Sequence, residues 1–174
     1  VPDAWRLPLL RHWLRAAGAP SLPGNQLIEL LRQLESAAED RQPAVEWHGW
    51  SVRRYDGKLW LGQELAGIVS DFCAEWDCRE PLVLPANLGS MTFEEGDRRP
   101  LQVRFRREGD NIRYKGHTKS LKAVMQELAI PTWLRDRVPL IIDGERLVAI
   151  ADRRYADEAA LWLLWHDSPQ DFHP

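Results

Sequence analysis

The stretch LQVRFRREGDNIRYKGHTKSLKAVMQELAIPTWLRDRVPLIIDGERLVAI, from Leu101 to Ile150, decides the fold of the second half of the chain. Its start alternates apolar and polar side chains, which predicts a strand at Leu101–Arg106 with one buried face and one basic face. A basic loop follows, and then an amphipathic helix with Thr118 as its N-cap. The turn signal Asp143-Gly144 predicts a hairpin at the end of the stretch. This order predicts a mixed α/β domain with antiparallel strands and one or two helices.

The first part of the chain changes from helical to strand periodicity. Apolar residues three or four positions apart predict helices at Ala4–Gly18 and after Pro23. The short, Pro-rich link between them favours a helical hairpin. Alternating residues on both sides of Asp56-Gly57 predict a small antiparallel sheet that closes this hairpin. The predicted fold class of the whole chain is therefore α+β.

The same patterns divide the chain into three parts. Residues 1–64 are predicted to be the helical domain, residues 65–80 an acidic connection and residues 81–174 the mixed α/β domain. The tail at 155–165 fits either a helix or a strand, with a closing strand at Leu161–Trp165 as one alternative.

The composition is that of an ordinary globular protein. A length of 174 residues suffices for one large or two small domains, and 44% hydrophobic with 28% charged residues excludes a disordered chain. No apolar run approaches the ~18 residues that a membrane span needs, and signal-peptide architecture is absent. Cys73 and Cys78 are too few for a zinc site and are predicted to be buried free thiols. These features together predict a cytoplasmic protein without membrane contact.

The charge is concentrated in one segment. The net formal charge is −3, yet Arg98–Lys122 holds nine Arg and Lys against two acidic residues. A basic segment in an acidic protein predicts an anion-binding surface, with RNA as the natural polyanion. The alternative is a solvated face whose weak ion pairs contribute ~0–1 kcal/mol each.

Several of these basic residues lie on adjacent predicted elements, and Arg and Lys both suit phosphate oxygens. We expect Lys119 and Lys122 to share the solvent side of the helix. Trp133 has two interpretations, a stack on a base or ribose and an anchor of a short helix to the core. Asp136 is predicted to hold Arg135 or Arg137 by an ion pair. The residues that charge alone selects are Arg104, Arg106, Arg113, Lys115, His117, Lys119 and Lys122.

No motif for catalysis, nucleotide binding or metal binding is present in the sequence. It lacks G-x-x-x-x-G-K-[ST], G-x-G-x-x-G, H-E-x-x-H and G-x-S-x-G, and its five His are scattered. We therefore predict no catalytic residue, no cofactor and no metal ligand in this chain. Two other functions stay open: a self-contained enzyme with an unrecognised site, and a structural domain that docks on a catalytic partner domain without gripping RNA.

Longer motifs resemble a known family. VRFR at 103–106, KSLK at 119–122 and IPTWLRDRVPL at 130–140 resemble the C-terminal domain of bacterial tRNA(Ile)-lysidine synthases. VRRY at 52–55, ahead of LWL at 59–61, resembles the substrate-binding middle domain of that family. The resemblance covers nearly the whole chain.

The resemblance implies a role in tRNA modification. Enzymes of this family join lysine to C2 of the wobble cytidine in the CAU anticodon of tRNA(Ile), using ATP with Mg in an N-terminal PP-loop domain. This chain lacks the SGGxDS-type motif of that domain, so the resemblance implies a fragment that is inactive alone and works with its own PP-loop domain. It also admits a homodimer. The RNA-binding residues that it implies are Arg104, Arg106, Arg107, Arg113, Lys115, Lys119, Lys122, Arg135, Arg137, Arg53 and Arg54.

Overall fold

A computed structural model of the chain describes residues 2–36, 44–63, 67, 71–157, 159 and 161–168. The chain folds as two compact units, one ending at residue 65 and the other beginning at residue 66. Helices and mostly antiparallel strands occur together, which confirms the predicted α+β class. No helix among the described residues is long and apolar enough to cross a membrane.

The first unit is a pair of helices with a small sheet. Its elements are α1 (Asp3–Ala16), α2 (Gly24–Ser36), β1 (Ala44–Trp47), β2 (Trp50–Tyr55) and β3 (Lys58–Gln63). The strands pair antiparallel in the order β1-β2-β3, and the β2–β3 register centres on the predicted Asp56-Gly57 turn.

One apolar core joins the helices and the sheet of the first unit. The helical periodicity places Leu10 and Leu14 of α1 on the buried face, and α2 contributes three leucines in the same way. Val52 and Leu61 add the inner face of the sheet. The three leucines of α2 are Leu27, Leu30 and Leu34.

The described residues of the second unit form two sheets, one α-helix and one 3₁₀ turn. In chain order, its described elements are β4 (Cys73–Trp76), β5 (Leu82–Val83), β6 (Ser90–Gly96), β7 (Leu101–Arg104), β8 (Asn111–Tyr114), β9 (His117–Ser120), α3 (Leu121–Glu127), a 3₁₀ turn (Arg135–Arg137), β10 (Leu140–Asp143), β11 (Arg146–Ile150), β12 (Arg154–Tyr155) and β13 (Leu161–His166).

The larger sheet of the second unit is mixed. Its order is β4-β7-β10-β11-β8-β9, with β12 beside β11. The β10–β11 hairpin turns at the predicted Asp143-Gly144 position, and β11 pairs with β8 in parallel through Leu147 and Ile112. Strand β4 lies within the stretch that was predicted to be a connection, and it pairs along its whole length with β7.

The smaller sheet resolves the ambiguous tail. Strand β13 pairs antiparallel with β6, which also pairs with β5. Leu161, Leu163 and Trp165 are buried and alternate with more exposed neighbours, a period of two that identifies a strand. The alternative of a closing strand at Leu161–Trp165 is confirmed.

Two local predictions in the basic stretch are wrong. Helix α3 begins at Leu121 with Ser120 as its N-cap, whose hydroxyl accepts a hydrogen bond from the Ala123 N–H at 3.3 Å. Thr118 instead lies in β9, opposite Arg113 of β8. The predicted basic loop is thus a β-hairpin. The residues from Thr118 onward that were predicted to begin the helix pair with β8 instead, and this pairing satisfies their backbone groups.

The two cysteines lie in different environments. Cys78 is buried, as predicted, and burial raises the pKa of its thiol to about 11. Cys73 is exposed at the start of β4, so the prediction that it is buried is wrong. Strand β4 is an edge strand of its sheet, where a side chain can face solvent.

Candidate nucleic-acid interface

Arg104 does not lie on a solvent-exposed basic face. It is 9% exposed, and its guanidinium donates to both carboxylate oxygens of Asp110, at 2.6 and 2.8 Å. Asp110 also accepts the Arg107 N–H at 2.7 Å. Burial by itself raises the pKa of Asp110, but these hydrogen bonds and charges outweigh it and hold the pKa below its usual value. The pair braces the turn that follows β7 and leaves Arg104 poorly placed for phosphate.

An open groove of about 510 Å³ lies beside this turn, and we call it the basic groove. It is lined by residues 106–111 and 120–122, so the turn after β7 and the start of α3 face each other across it. Arg107 and Lys122 are exposed at the groove, and within the described residues no ion pair joins either of them. Glu108 and Asp110 line the groove as well, so its three cations Arg106, Arg107 and Lys122 leave a small excess of positive charge.

Arg106 is partly compensated. Its Nε lies 2.8 Å from Oδ1 of Asp136, and the two side chains remain 39% and 49% exposed. Arg135, in the same 3₁₀ turn as Asp136, is 7% exposed and donates from Nε to the Ile130 carbonyl at 2.9 Å. Arg135 therefore holds the turn together, while Arg137 beside it is half-buried.

The outer face of the β8–β9 hairpin extends the floor of the basic groove. Asn111 is opposite Ser120, and Arg113 is opposite Thr118. Directly opposite residues share a face of the sheet, and all four of these are exposed. Ile112, between them, is buried on the other face. Arg113 thus lies on the same face of the hairpin as Asn111 and Ser120, which line the groove.

Lys119 belongs to the other face of the hairpin. It lies opposite Ile112, and its Nζ donates to Oε1 of Glu127 at 2.7 Å. That hydrogen bond is the largest cause of the lowered pKa of Glu127, to which Arg154 at 3.8 Å also contributes. The prediction that Lys119 and Lys122 share one side of a helix is wrong, since Lys119 lies in β9.

The two arginines predicted in the first unit both make contacts within that unit. Arg54 donates from Nη1 to the Leu34 carbonyl at 3.0 Å, near the C-terminal end of α2, where helix carbonyls lack partners. Arg53 forms an ion pair with Glu46 at 3.3 Å across the β1–β2 strands. Both side chains are half-buried, and these contacts account for their positions.

The structure adds aromatic residues that the sequence patterns did not single out. Trp162 is 62% exposed on the outer face of β13 and stacks on Tyr155, with ring centroids 5.2 Å apart. Trp133, for which the sequence leaves stacking and anchoring open, is half-buried. The run LWLLW predicts that a strand here carries an apolar residue on its outer face. Only the pairing register of β13 with β6 shows that this residue is Trp162. Across the described parts of the chain, no group of His, Cys, Asp and Glu could hold a metal ion.

Comparisons with known proteins identify relatives of both units. The family model for the TilS substrate binding domain matches residues 1–60, and that for the TilS substrate C-terminal domain matches residues 101–165. The tRNA(Ile)-lysidine synthase of Xylella fastidiosa is 34% identical over 174 residues, covering 95% of this chain and 40% of the relative. That of Shigella flexneri is 34% identical over 160 residues, covering 87% and 37%. The chain thus spans about 40% of the length of the relatives it matches.

A solved structure is also similar to part of the chain. It is described as the crystal structure of a TILS C-terminal domain and aligns at 25% identity with a TM-score of 0.40. The alignment covers 53% of this chain and 93% of the other.

Proposed function

Because the chain belongs to the tRNA(Ile)-lysidine synthase family, as that family's substrate-binding and C-terminal domains, we propose that it is the tRNA-recognition portion of such a ligase. The observation that carries this proposal is the basic groove. Arg107 and Lys122 expose positive charge there without an ion pair to any described residue, on a chain of net charge −3. A phosphate backbone is the ligand that such a surface fits.

The contacts divide the candidates by role. Arg107, Lys122, Arg113 and Lys115 are the phosphate-binding residues, because all are exposed on one hairpin or beside it. Arg106 can join them by leaving Asp136. Arg104 and Arg135 act from inside, where they hold the turns that carry the others. Phosphate contacts of this kind position RNA, while specificity comes from shape and from base or 2′-OH contacts. The weaker candidates are Lys119, Arg137, Arg53 and Arg54.

Binding of tRNA across a salt series tests the proposal. The chain is titrated with tRNA(Ile) bearing a CAU anticodon and with elongator tRNA(Met), between about 50 and 200 mM salt. We expect log K to fall linearly with log salt, because each phosphate contact releases counterions. Preference for the isoleucine tRNA would locate discrimination in these domains. Absence of binding at the lowest salt, or a slope near zero, would contradict the proposal.

The remaining parts of the activity belong to the whole protein. As the proposal has it, a PP-loop domain supplies ATP and Mg chemistry and ligates lysine to the wobble cytidine, in the cytoplasm. This chain presents the tRNA to that domain and has no ligase activity alone. A homodimer stays a prediction.

A docking role without RNA has one observation in its favour. Trp5 and Leu9, one helical turn apart on α1, are 63% and 48% exposed, and Ile28 of α2 is 57% exposed. Such residues suit a contact with the catalytic domain. A Trp5→Glu variant separates the two roles, because it should weaken binding of the chain to the catalytic domain and leave its RNA binding unchanged. Loss of RNA binding in that variant, with the fold intact, would count against a groove-centred grip.

A further inference from the structure

The tip of the β8–β9 hairpin is a two-residue turn, Lys115-Gly116, between the register partners Tyr114 and His117. Both turn residues have positive φ, +52° and +74°, as a type I′ turn requires. The flanking residues make the cross-strand hydrogen bonds of such a turn. The N–H groups of Lys115 and Gly116 therefore find no partner within the hairpin itself.

The carboxylate of Asp157 accepts both of these N–H groups. Lys115 N–H donates to Oδ1 and Gly116 N–H to Oδ2, each at 2.7 Å. The Asp157 N–H also donates back to the Arg113 carbonyl at 3.3 Å. Two consecutive amides that converge on one anion form a nest, and here the chain fills the nest with its own side chain.

A second contact holds the hairpin from the same segment. The Arg154 guanidinium lies 4.2 Å from the centre of the Tyr114 ring and 3.8 Å from Glu127, which in turn binds Lys119. Residues 154–157 thus contact the hairpin tip in two ways: Asp157 binds backbone amides of the turn, and Arg154 packs on the Tyr114 ring. The hairpin tip carries three exposed side chains: the cations Arg113 and Lys115, and the titratable His117.

We propose that Asp157 is a positioning residue for RNA binding: by holding the two turn amides it fixes Arg113 and Lys115 in place before RNA arrives. The inference rests on the proposed function and adds to it a residue that touches no RNA. Side chains already ordered in the free protein lose less conformational freedom on binding, so ordering the tip raises affinity.

The sign of the effect distinguishes positioning from plain electrostatics. Asp157 is negative and lies beside a surface that binds phosphates. Its hydrogen bonds with Gly116 and Lys115 lower its pKa, so it is ionised at neutral pH. If its charge alone mattered, removing it would strengthen RNA binding. If positioning dominates, removing it weakens RNA binding.

The experiment compares Asp157→Asn with Glu145→Gln in the whole chain, by tRNA titration at fixed salt. Each variant removes one negative charge, but Glu145 is an exposed residue of the β10–β11 turn without a role at the hairpin tip. We expect Asp157→Asn to bind tRNA about fivefold more weakly, the factor for ordering one more long side chain. Glu145→Gln should bind equally or more tightly. Asp157→Glu keeps the charge but displaces the carboxylate, so it should also bind more weakly.

A double-variant cycle with Lys115→Ala tests the route of the effect. In a chain that already lacks the Lys115 side chain, Asp157→Asn should cost distinctly less affinity than in the parent. Amide hydrogen exchange at Gly116 should accelerate in Asp157→Asn, while thermal unfolding shifts little. Equal or tighter tRNA binding by Asp157→Asn, or a loss that Lys115→Ala leaves unchanged, overturns the inference. If the parent chain binds no tRNA, the proposed function fails instead, and the inference with it.

Discussion

Arg104 and Asp110 form a two-pronged ion pair, with nitrogen–oxygen distances of 2.6 and 2.8 Å and only 11% and 12% of the two side chains exposed. Breaking one side of such a pair leaves the other charge buried without a partner. We therefore predict that Asp110→Ala lowers the free energy of unfolding by about 3 kcal/mol. Urea denaturation measures the change. Glu108→Ala, on the exposed turn next to it, is the control and should change stability by less than about 0.5 kcal/mol.

The same pair makes stability depend on acid. The folded-state pKa of Asp110 lies below its unfolded value, so the contribution is complete above the unfolded pKa. It is lost as pH falls through the folded pKa. We expect the melting temperature of the parent to fall more steeply than that of Asp110→Asn below about pH 4. Parallel curves for the two proteins would mean that other carboxylates dominate acid unfolding.

Lys122 and Lys119 should differ in their effect on RNA binding although they are three residues apart. Lys122 faces the basic groove, whereas Lys119 is bound to Glu127 at 2.7 Å on the other face of the hairpin. Lys122→Ala should weaken tRNA binding and reduce the magnitude of the salt slope by about 1. Lys119→Ala is the matched control, with a smaller change in both quantities. Equal losses in the two variants would contradict the assignment of the groove.

Gly89 is required for the smaller sheet to close. It has φ +77°, and a Cβ there would collide with the His166 carbonyl oxygen and lie 2.7 Å from that of Asp167. Gly89→Ala should therefore destabilise the second unit by at least about 2 kcal/mol, from backbone strain and overlap together. Gly109→Ala has a similar φ of +84° but open space around it, so it isolates the strain, about 1 kcal/mol. Thermal unfolding of both variants would show whether the overlap adds to the strain.

The two thiols should react at very different rates. Cys73 is exposed, whereas Cys78 is 2% exposed and its pKa is raised to about 11, so little thiolate forms near neutral pH. A thiol reagent at about pH 8 should label one cysteine in the native protein and both after denaturation. Cys73→Ser should abolish the native-state labelling. Rapid labelling of Cys78 in the native chain would show that the site opens easily.

Sequence patterns predicted the helices and hairpins that are specified by residues close together in the chain. The leucines of α1 and α2 repeat at helical spacing, and Asp56-Gly57 and Asp143-Gly144 are strong turn signals, so these parts agree with the structure. The β8–β9 hairpin was missed because Lys115-Gly116 is a weaker signal for a type I′ turn than Asn-Gly or Asp-Gly. Lys119 was consequently placed in a helix.

Tertiary contacts were beyond the reach of such patterns. Arg104 alternates with apolar residues and so resembles an exposed strand residue. It is nevertheless buried, because the carboxylate of Asp110, six positions away, lies beside it and pairs with it. Asp157 acts on amides 41 and 42 positions earlier in the chain, which no spacing rule connects. The charge pattern selected a segment whose Arg107 and Lys122 are exposed beside one groove, while the contacts of each arginine depend on the acid that faces it.

The parallel pairing of β11 with β8 has a consequence for the order of assembly. The β8–β9 hairpin can close by itself, because its strands are adjacent in the chain. Its place in the sheet, however, depends on pairing with Leu147, and the position of its tip depends on Asp157. Both residues are synthesised later. Long-range contacts of this kind form late in folding. A nascent chain therefore exposes these basic residues before the hairpin is held in place, and only a chain completed past Asp157 has the hairpin tip in its final position.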